Sequence, residues 1–464
     1  MGMYQGPRQE ARRINEWLPE EAKNVDGLIL SHGHLDHCGK IPVLTQAGYD
    51  GPIYCTPATA EVARIVLEDS AEIQEEDANY LNHRQRAPGE EPIRPLYVRS
   101  DVPRILKQIR RVKYGQRVDL GKGVGFTLLD AGHILGSAYV IIDWRDDGGG
   151  KVTSPVGGMS TSPAPGLVSD RSVRPTENSR TILFTADVGR YNSPIIRDPQ
   201  TIPNAVDYVI TESTYGGRAH APMNEVGPAL LDAVKHCIAH RSRLLVPAFA
   251  VGRTQTILWY IQRFIQGGLI GPIPIYVDSP MGVAVSHVHE EFRDYYDQET
   301  RDAIGTNDLF GMSRVTFASS TQESKRINGE NGPCVIIASS PTCEFGRILH
   351  HLKVSIERPN DLVVMVGWTP PHTLGRRLQD GQTRIKIYDR WYDVKCQVRT
   401  IHGLSAHADG TEIIKFLAPT IRPETGFYVV HGEPGEADAL VGKLLSAGAS
   451  RVEVPAMGTE VMVR

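Results

Sequence analysis

The stretch Ser31-His32-Gly33-His34-Leu35-Asp36-His37 decides how this chain is read. Four metal-competent side chains, His32, His34, Asp36 and His37, fall within six residues, directly after the apolar run Val25–Leu30. That run is short and rich in aliphatic residues, which predicts a buried strand. Two residues apart on an extended chain, His32 and His34 can address one ion. Asp36 and His37 follow where the chain turns toward a helix and can face a second ion. Neutral imidazole and carboxylate oxygen suit Zn2+ and, less selectively, Mn2+ or Fe2+.

Four side chains do not complete two ligand shells, so further donors are expected at other strand ends. Three stretches offer them: Ala131-Gly132-His133-Ile134-Leu135-Gly136-Ser137 after Gly125–Leu129, Ala186-Asp187-Val188-Gly189 after Thr181–Phe184, and His431-Gly432-Glu433 after Phe427–Val430. Each sets one His or Asp beside glycine, which lets backbone and ligand approach closely.

The surrounding composition narrows the class. The chain has 464 residues, 41% hydrophobic and 22% charged, an ordinary globular balance with material for more than one core. A net charge of −4 excludes a protein that binds nucleic acid or membranes through overall basicity. Locally, residues 84–122 carry 11 Lys/Arg against 4 Asp/Glu, read first as a solvated surface and second as a strip for phosphates. Six cysteines without a CxxC pair argue against a disulfide framework and against a thiolate zinc site. With no apolar run of ~18 residues and no apolar leader, a cytoplasmic protein that engages no membrane is expected.

Short apolar runs at Leu244–Pro247, Ile273–Val277, Cys334–Ala338 and Leu362–Val366 alternate with helical stretches. They predict an α/β unit with a largely parallel sheet. Thr56-Pro57 predicts a capped helix start, running to about His83. Residues 146–180, rich in Gly, Ser, Pro and Thr, predict a flexible insertion. His236 and His240, four apart, lack companion donors and are read as surface residues, and the neighbours His350 and His351 do not share a helix face and are not read as a joint metal site.

Together the motifs carry a family resemblance. His32-x-His34-x-Asp36-His37, His133, Asp187 and His431 resemble the metal motifs of the metallo-β-lactamase fold. Glu212-Ser-Thr-Tyr-Gly216, Ser405-Ala-His407-Ala-Asp409 and His431-Gly-Glu433 resemble the three added motifs of its β-CASP branch. That branch holds nucleic-acid-processing nucleases, including the endonuclease subunit of the messenger-RNA cleavage and polyadenylation factor. Val246–Gln255, Val277–Gly282 and Thr373–Arg377 are similar to further family segments.

The resemblance implies an αββα four-layer sandwich from about 1–212 and 386–464, interrupted by an inserted α/β β-CASP domain over 213–385. It implies two Zn2+, with Mn2+ as an alternative. His32, His34 and His133 would hold one, Asp36, His37 and His431 the other, and Asp187 would bridge. A hydroxide generated between the ions would attack the phosphorus of RNA. His407 would protonate the leaving oxygen, held by Glu212, with Asp36 counted beside them as catalytic. Arg253, Ser405 and Arg376 are expected to contact a single-stranded RNA substrate. DNA or a small phosphodiester or ester stays open as substrate, and so does a catalytically weak RNA-binding subunit. A homodimer and a processing complex are both open as assemblies. The chain departs from the family at three places. The match starts late, without the strands that precede the equivalent of Gly2–Gly6, which implies an open sheet edge. Ala186 stands where the family has Gly, and residues 339–346 replace a Gly/Met-rich loop.

Overall fold

The computed structural model describes residues 2–4, 8–84, 91–145, 179–203, 206–304, 309–311, 313–367 and 369–461. The insertion expected at 146–180 lies outside these residues, apart from Ser179 and Arg180, which open a strand. In chain order the strands are β1 (Leu28–Ile29), β2 (Ile53–Cys55), β3 (Ile109–Arg111), β4 (Arg117–Gly121), β5 (Val124–Asp130), β6 (Ala138–Arg145), β7 (Ser179–Phe184), β8 (Tyr208–Thr211) and β9 (Arg243–Pro247). There follow β10 (Ile275–Asp278), β11 (Val315–Phe317), β12 (Cys334–Ala338), β13 (Leu362–Val366), β14 (Arg384–Ile387), β15 (Arg390–Asp393), β16 (Gln397–Ile401), β17 (Gly426–Val429) and β18 (Arg451–Glu453).

One lobe is built on a three-stranded sheet, β1-β2-β3, and a seven-stranded sheet, β18-β17-β8-β7-β6-β5-β4. The larger sheet is antiparallel from β4 to β7 and parallel from β7 through β8 and β17 to β18. Two reversals separate β5 from β7, so β5, β7, β8 and β17 all run the same way. Their carboxyl ends leave one edge, so His133, Asp187 and His431 emerge on one side. Among the described residues β1 pairs on one side only, with β2. The apolar run Val25–Leu30 yields only two ladder residues, because a 3-10 turn ends at Asn24 and Val25 stays in solvent.

The second lobe is a six-stranded sheet, β11-β10-β12-β9-β13-β16, in which every pairing is parallel. Strands β9, β12 and β13 are buried along their whole length, as strands covered on both faces must be. Alternate residues feed two cores. Leu244, Val246, Val335, Ile337 and Val364 face a core shared with helices Met223–Ala239 and Arg253–Gln266. Leu245, Ile336, Val363 and Met365 face one closed by helix Ile348–Ser355 and the β14–β15 hairpin. Strand β16 completes this sheet, and Ile385, Ile387, Tyr392 and Cys396 bury in its second core. A boundary at 385/386 would cut through that hairpin. The chain returns to the first lobe only after Ile401.

The first of these cores does not stop at the lobe boundary. Leu30, Ile134, Leu135 and Val66 of the first lobe belong to the same apolar cluster as Val246, Val251 and Val285 of the second. Helix Pro57–Arg84 packs on helix Pro280–Glu291 across the seam. All six cysteines are free and buried, and burial pushes the thiols of Cys55, Cys334 and Cys396 up to about 12. Among the described residues no helix is long and apolar enough to cross a membrane.

Candidate metal centre

Local chemistry fixes each loop of the site. The Ser31–His37 segment leaves β1 extended, and Ser31 O accepts the amide of Ala138 at 2.9 Å. It then folds into the short helix Leu35–Cys38, which carries Asp36 and His37. The N-terminal segment lies on that helix: Met3 N–H donates to Leu35 O at 3.0 Å. A Cβ at Gly2 would stand 1.2 Å from Asp36 O, so only glycine fits there. The His133 loop is tied to the start of helix Pro57–Arg84. The hydroxyls of Thr56 and Thr59 both donate to Gly136 O, at 2.8 and 2.7 Å, and Thr56 Oγ1 accepts the Thr59 amide at 3.1 Å as the expected cap. Asp187 follows Ala186, whose φ of +48° places an alanine in the left-handed region. His407 reaches the same edge through an antiparallel bridge to Gly189.

These loops converge on Asp187. Its Oδ2 lies 3.3 Å from His32 Nε2, 3.2 Å from His37 Nε2 and 3.5 Å from His133 Nε2, and its Oδ1 lies 3.5 Å from His431 Nδ1. His34 Nδ1 faces His133 Nε2 at 3.2 Å, and His431 Nε2 faces Asp36 Oδ2 at 3.6 Å. The donor atoms fall into the sets His32/His34/His133/Asp187 and Asp36/His37/His431, and a third, Asp187/Glu212/His407, shares Asp187 with the first. The seven residues the motifs nominate are thus gathered around one carboxylate.

The chemistry of this set fits bound cations. His133 Nδ1 lies 3.1 Å from the carbonyl oxygen of Ala406 and must donate to it. Its Nε2 lone pair then points at His34, whose pKa burial lowers to about 3, with the neighbouring His32 adding to the effect. Neutral His34 can donate Nδ1–H to that lone pair, and its other tautomer leaves two lone pairs 3.2 Å apart that can share a cation. Burial, then the charge of His37, lowers His32 as well. His32 Nε2, His37 Nε2 and both oxygens of Asp187 are buried and find no hydrogen-bond donor or acceptor among the described residues. Buried polar atoms left this way are costly unless an ion satisfies them.

Beside this cluster stands a second arrangement. Glu212, 1% exposed, accepts the Val188 amide on Oε1 at 2.6 Å and the Thr214 amide on Oε2 at 3.3 Å. His407 Nδ1 lies 3.3 and 3.2 Å from the same two oxygens. Burial works to lower the His407 pKa, but Glu212, followed by Asp187, overcomes it and raises it to about 9. The imidazole is therefore charged at neutral pH, with Nδ1–H on Glu212 and Nε2–H available.

The three residues expected on substrate are placed as follows. Ser405 Oγ accepts the His407 amide at 3.1 Å, so it braces that loop. Arg253 donates to Val366 O, with Tyr215 close enough to support its charge. Arg376 pairs with Asp380 at 2.9 Å and lines a surface cleft with His372 and Arg377. Sequence reasoning overlooked His220, whose Nε2 donates to His407 O at 3.0 Å and whose amide donates to Asp409 Oδ2 at 2.9 Å. It also overlooked Tyr215, whose ring lies 6.1 Å from that of His407. Both follow Glu212 within eight residues, which was the available signal.

An αβ lobe whose strand ends collect five histidines and two aspartates around a shared carboxylate defines a metallo-hydrolase of the metallo-β-lactamase class. Comparison with known proteins agrees. Residues 5–148 match the Metallo-beta-lactamase superfamily domain, 254–378 the Beta-Casp domain, and 391–455 the Zn-dependent metallo-hydrolase RNA specificity domain. Ribonuclease TTHA0252 of Thermus thermophilus is 30% identical over 463 residues, covering 100% of this chain and 93% of that protein. The transcription termination factor FttA of Methanothermobacter thermautotrophicus is 26% identical over 420 residues, and that of Pyrococcus horikoshii 29% over 422. The matches span 88% of this chain but only 58% and 57% of those factors. The chain belongs to the β-CASP family of metallo-β-lactamase-fold hydrolases.

Proposed function

We propose that this protein is a zinc-dependent ribonuclease that cleaves phosphodiester bonds of single-stranded RNA, with two ions held as the family resemblance implies. The observation that carries the reading is the pairing of two donor sets on Asp187 with a charged His407 beside them. His32, His34 and His133 would hold one ion, Asp36, His37 and His431 the other, with Asp187 between. Bound zinc supplies a Lewis acid for the phosphoryl group and a water that ionises near neutral pH.

The chain's own residues do the rest. Ala406 O fixes the His133 tautomer and so presents Nε2 to the ion, the usual task of a partner behind a ligand. Glu212 is pinned by two amides and fixes the His407 ring by its Nδ1–H. His407 then gives its Nε2 proton to the oxygen that leaves phosphorus, a step that contributes typically ~10²–10⁴-fold. The substrate class is supported by the match to an RNA specificity domain and by the relative named a ribonuclease.

The test uses purified protein with zinc on end-labelled single-stranded RNA, single-stranded DNA and a small chromogenic phosphodiester, beside His34→Ala. Cleavage of RNA by the native protein and not by the variant supports the reading. Equal cleavage by both, or preference for either other substrate, overturns it.

A further inference from the structure

We propose that the outward face of the β14–β15 hairpin is a binding ribbon for single-stranded RNA, separate from the metal centre. The inference rests on the RNA reading above and adds a site to it.

The hairpin has two chemically different faces. Ile385, Ile387 and Tyr392 turn inward to the core. Arg384, Lys386 and Trp391 turn outward, with Lys386 directly across from Trp391 and Arg384 across from Asp393. Trp391 is 53% exposed and Tyr388, at the turn, is 54% exposed. Large aromatic rings in solvent need an explanation when they stand together. Each ring already carries a cation: the Arg384 guanidinium lies 5.6 Å from the Trp391 ring centre and the Lys353 ammonium 5.2 Å from that of Tyr388. The His350 ring adds a third contact, 5.8 Å from Tyr388. Lys353, Arg384 and Lys386 stand against Asp389 and Asp393, with Arg384 paired to Asp393 at 3.8 Å, an excess of one positive charge in a chain whose total is −4.

Aromatic faces alternating with cations are what unpaired bases and their phosphates require. Bases stack on the rings regardless of sequence, and the cations follow the backbone. The position suits a chain whose other end is in the metal centre. Helix Ile348–Ser355 begins where Ile348 N–H meets Ser339 O, just past the carboxyl end of β12, so His350 and Tyr388 lie at that rim of the parallel sheet. Phe249 and Phe345, 54% and 63% exposed, follow β9 and β12 at the same rim. The loop after β9 touches the His133 loop, since a Cβ on Gly252 would lie 3.5 Å from Ile134. A strand of RNA leaving the centre can thus pass along exposed rings to the ribbon.

The experiment compares labelled RNAs of about 8 and about 30 nucleotides, on the scale of one binding segment against several. Trp391→Ala and Lys386→Glu are exposed-face changes, and Tyr388→Ala is the third variant. Fluorescence anisotropy should show affinity for the long RNA falling roughly fivefold or more in Trp391→Ala and Tyr388→Ala. Lys386→Glu should also flatten its salt dependence. Affinity for the short RNA should not change. With turnover, KM for the long RNA should rise while kcat holds. Unchanged long-RNA affinity in all three variants overturns the proposal. So does loss of self-association or of a protein partner with RNA affinity intact. Anisotropy reads the ribbon without cleavage, so a native protein that cleaves no RNA defeats the catalytic reading on its own.

Discussion

Glu212→Gln keeps the shape of the side chain and removes its charge. Glu212 raises the His407 pKa to about 9, against burial, with Asp187 second at 3.9 Å. Asp187 is also shared by four other histidines, so in the variant burial dominates and the imidazole falls to its ordinary pKa of ~6.5 or below. At pH 7.5 the charged fraction drops from ~97% to ~10% or less, a rate loss of about tenfold that grows toward pH 9. Cations bound beside the ring lower its pKa in both proteins, but the gap between them is set by Glu212. The amide brings a second cost. Its NH2 must face either the Val188 amide or the Thr214 amide, donor against donor, at ~1–3 kcal/mol. Single-turnover cleavage of labelled RNA from pH 6 to 10, with zinc content measured on the same samples, reads the first effect. The alkaline limb should lie at lower pH in the variant than in the native protein, by about 2.5 units if the gap between about 9 and ~6.5 carries over. Superimposable profiles at equal zinc content would refute the assignment of His407 as the acid.

Two further predictions concern stability. Asp278 is fully buried and is met by His351 Nε2 at 2.7 Å and Arg347 at 2.6 Å, so Asp278→Ala strands the Arg347 charge and the His351 donor and should cost ~3–5 kcal/mol in urea unfolding. Against burial, the hydrogen bonds from His351, Ser324 and Arg347 hold the Asp278 pKa below the ordinary carboxylate range. Its contribution is therefore present above pH ~4 and lost as pH falls through the lower folded value, and the variant should lose less stability than the native protein on acidification. Ala186→Gly relieves a residue at φ +48° and should raise stability by about 0.5–1 kcal/mol after glycine's greater unfolded-state entropy is charged, read as a higher melting temperature. A lower melting temperature would show that the left-handed geometry at Ala186 carries no strain.

Much of the site was legible because its residues are punctual. His32, His133, Asp187 and His431 each stand one to four residues past an apolar run, and the structure puts each at a strand's carboxyl end. Fully buried parallel strands also announce themselves: Cys334–Ala338 and Leu362–Val366 coincide with β12 and β13. What escaped depended on contacts distant in sequence. Nothing near Cys396 says that β16 joins β13 rather than the other lobe, because pairing is a property of both strands. Arg253 gives no sign in sequence of its bond to Val366 O, 113 residues away. His220 gives no signal alone, since its partner His407 lies 187 residues away.

The apolar seam that joins the lobes has a mechanical consequence. Leu30, Ile134 and Leu135 cannot part from Val246, Val251 and Val285 without wetting a common interior, so the mouth over Asp187 has a set width rather than a hinge. A rigid aperture sorts nucleic acids by girth. If the proposed ribonuclease reading holds, such an aperture would favour unpaired strands over base-paired stems.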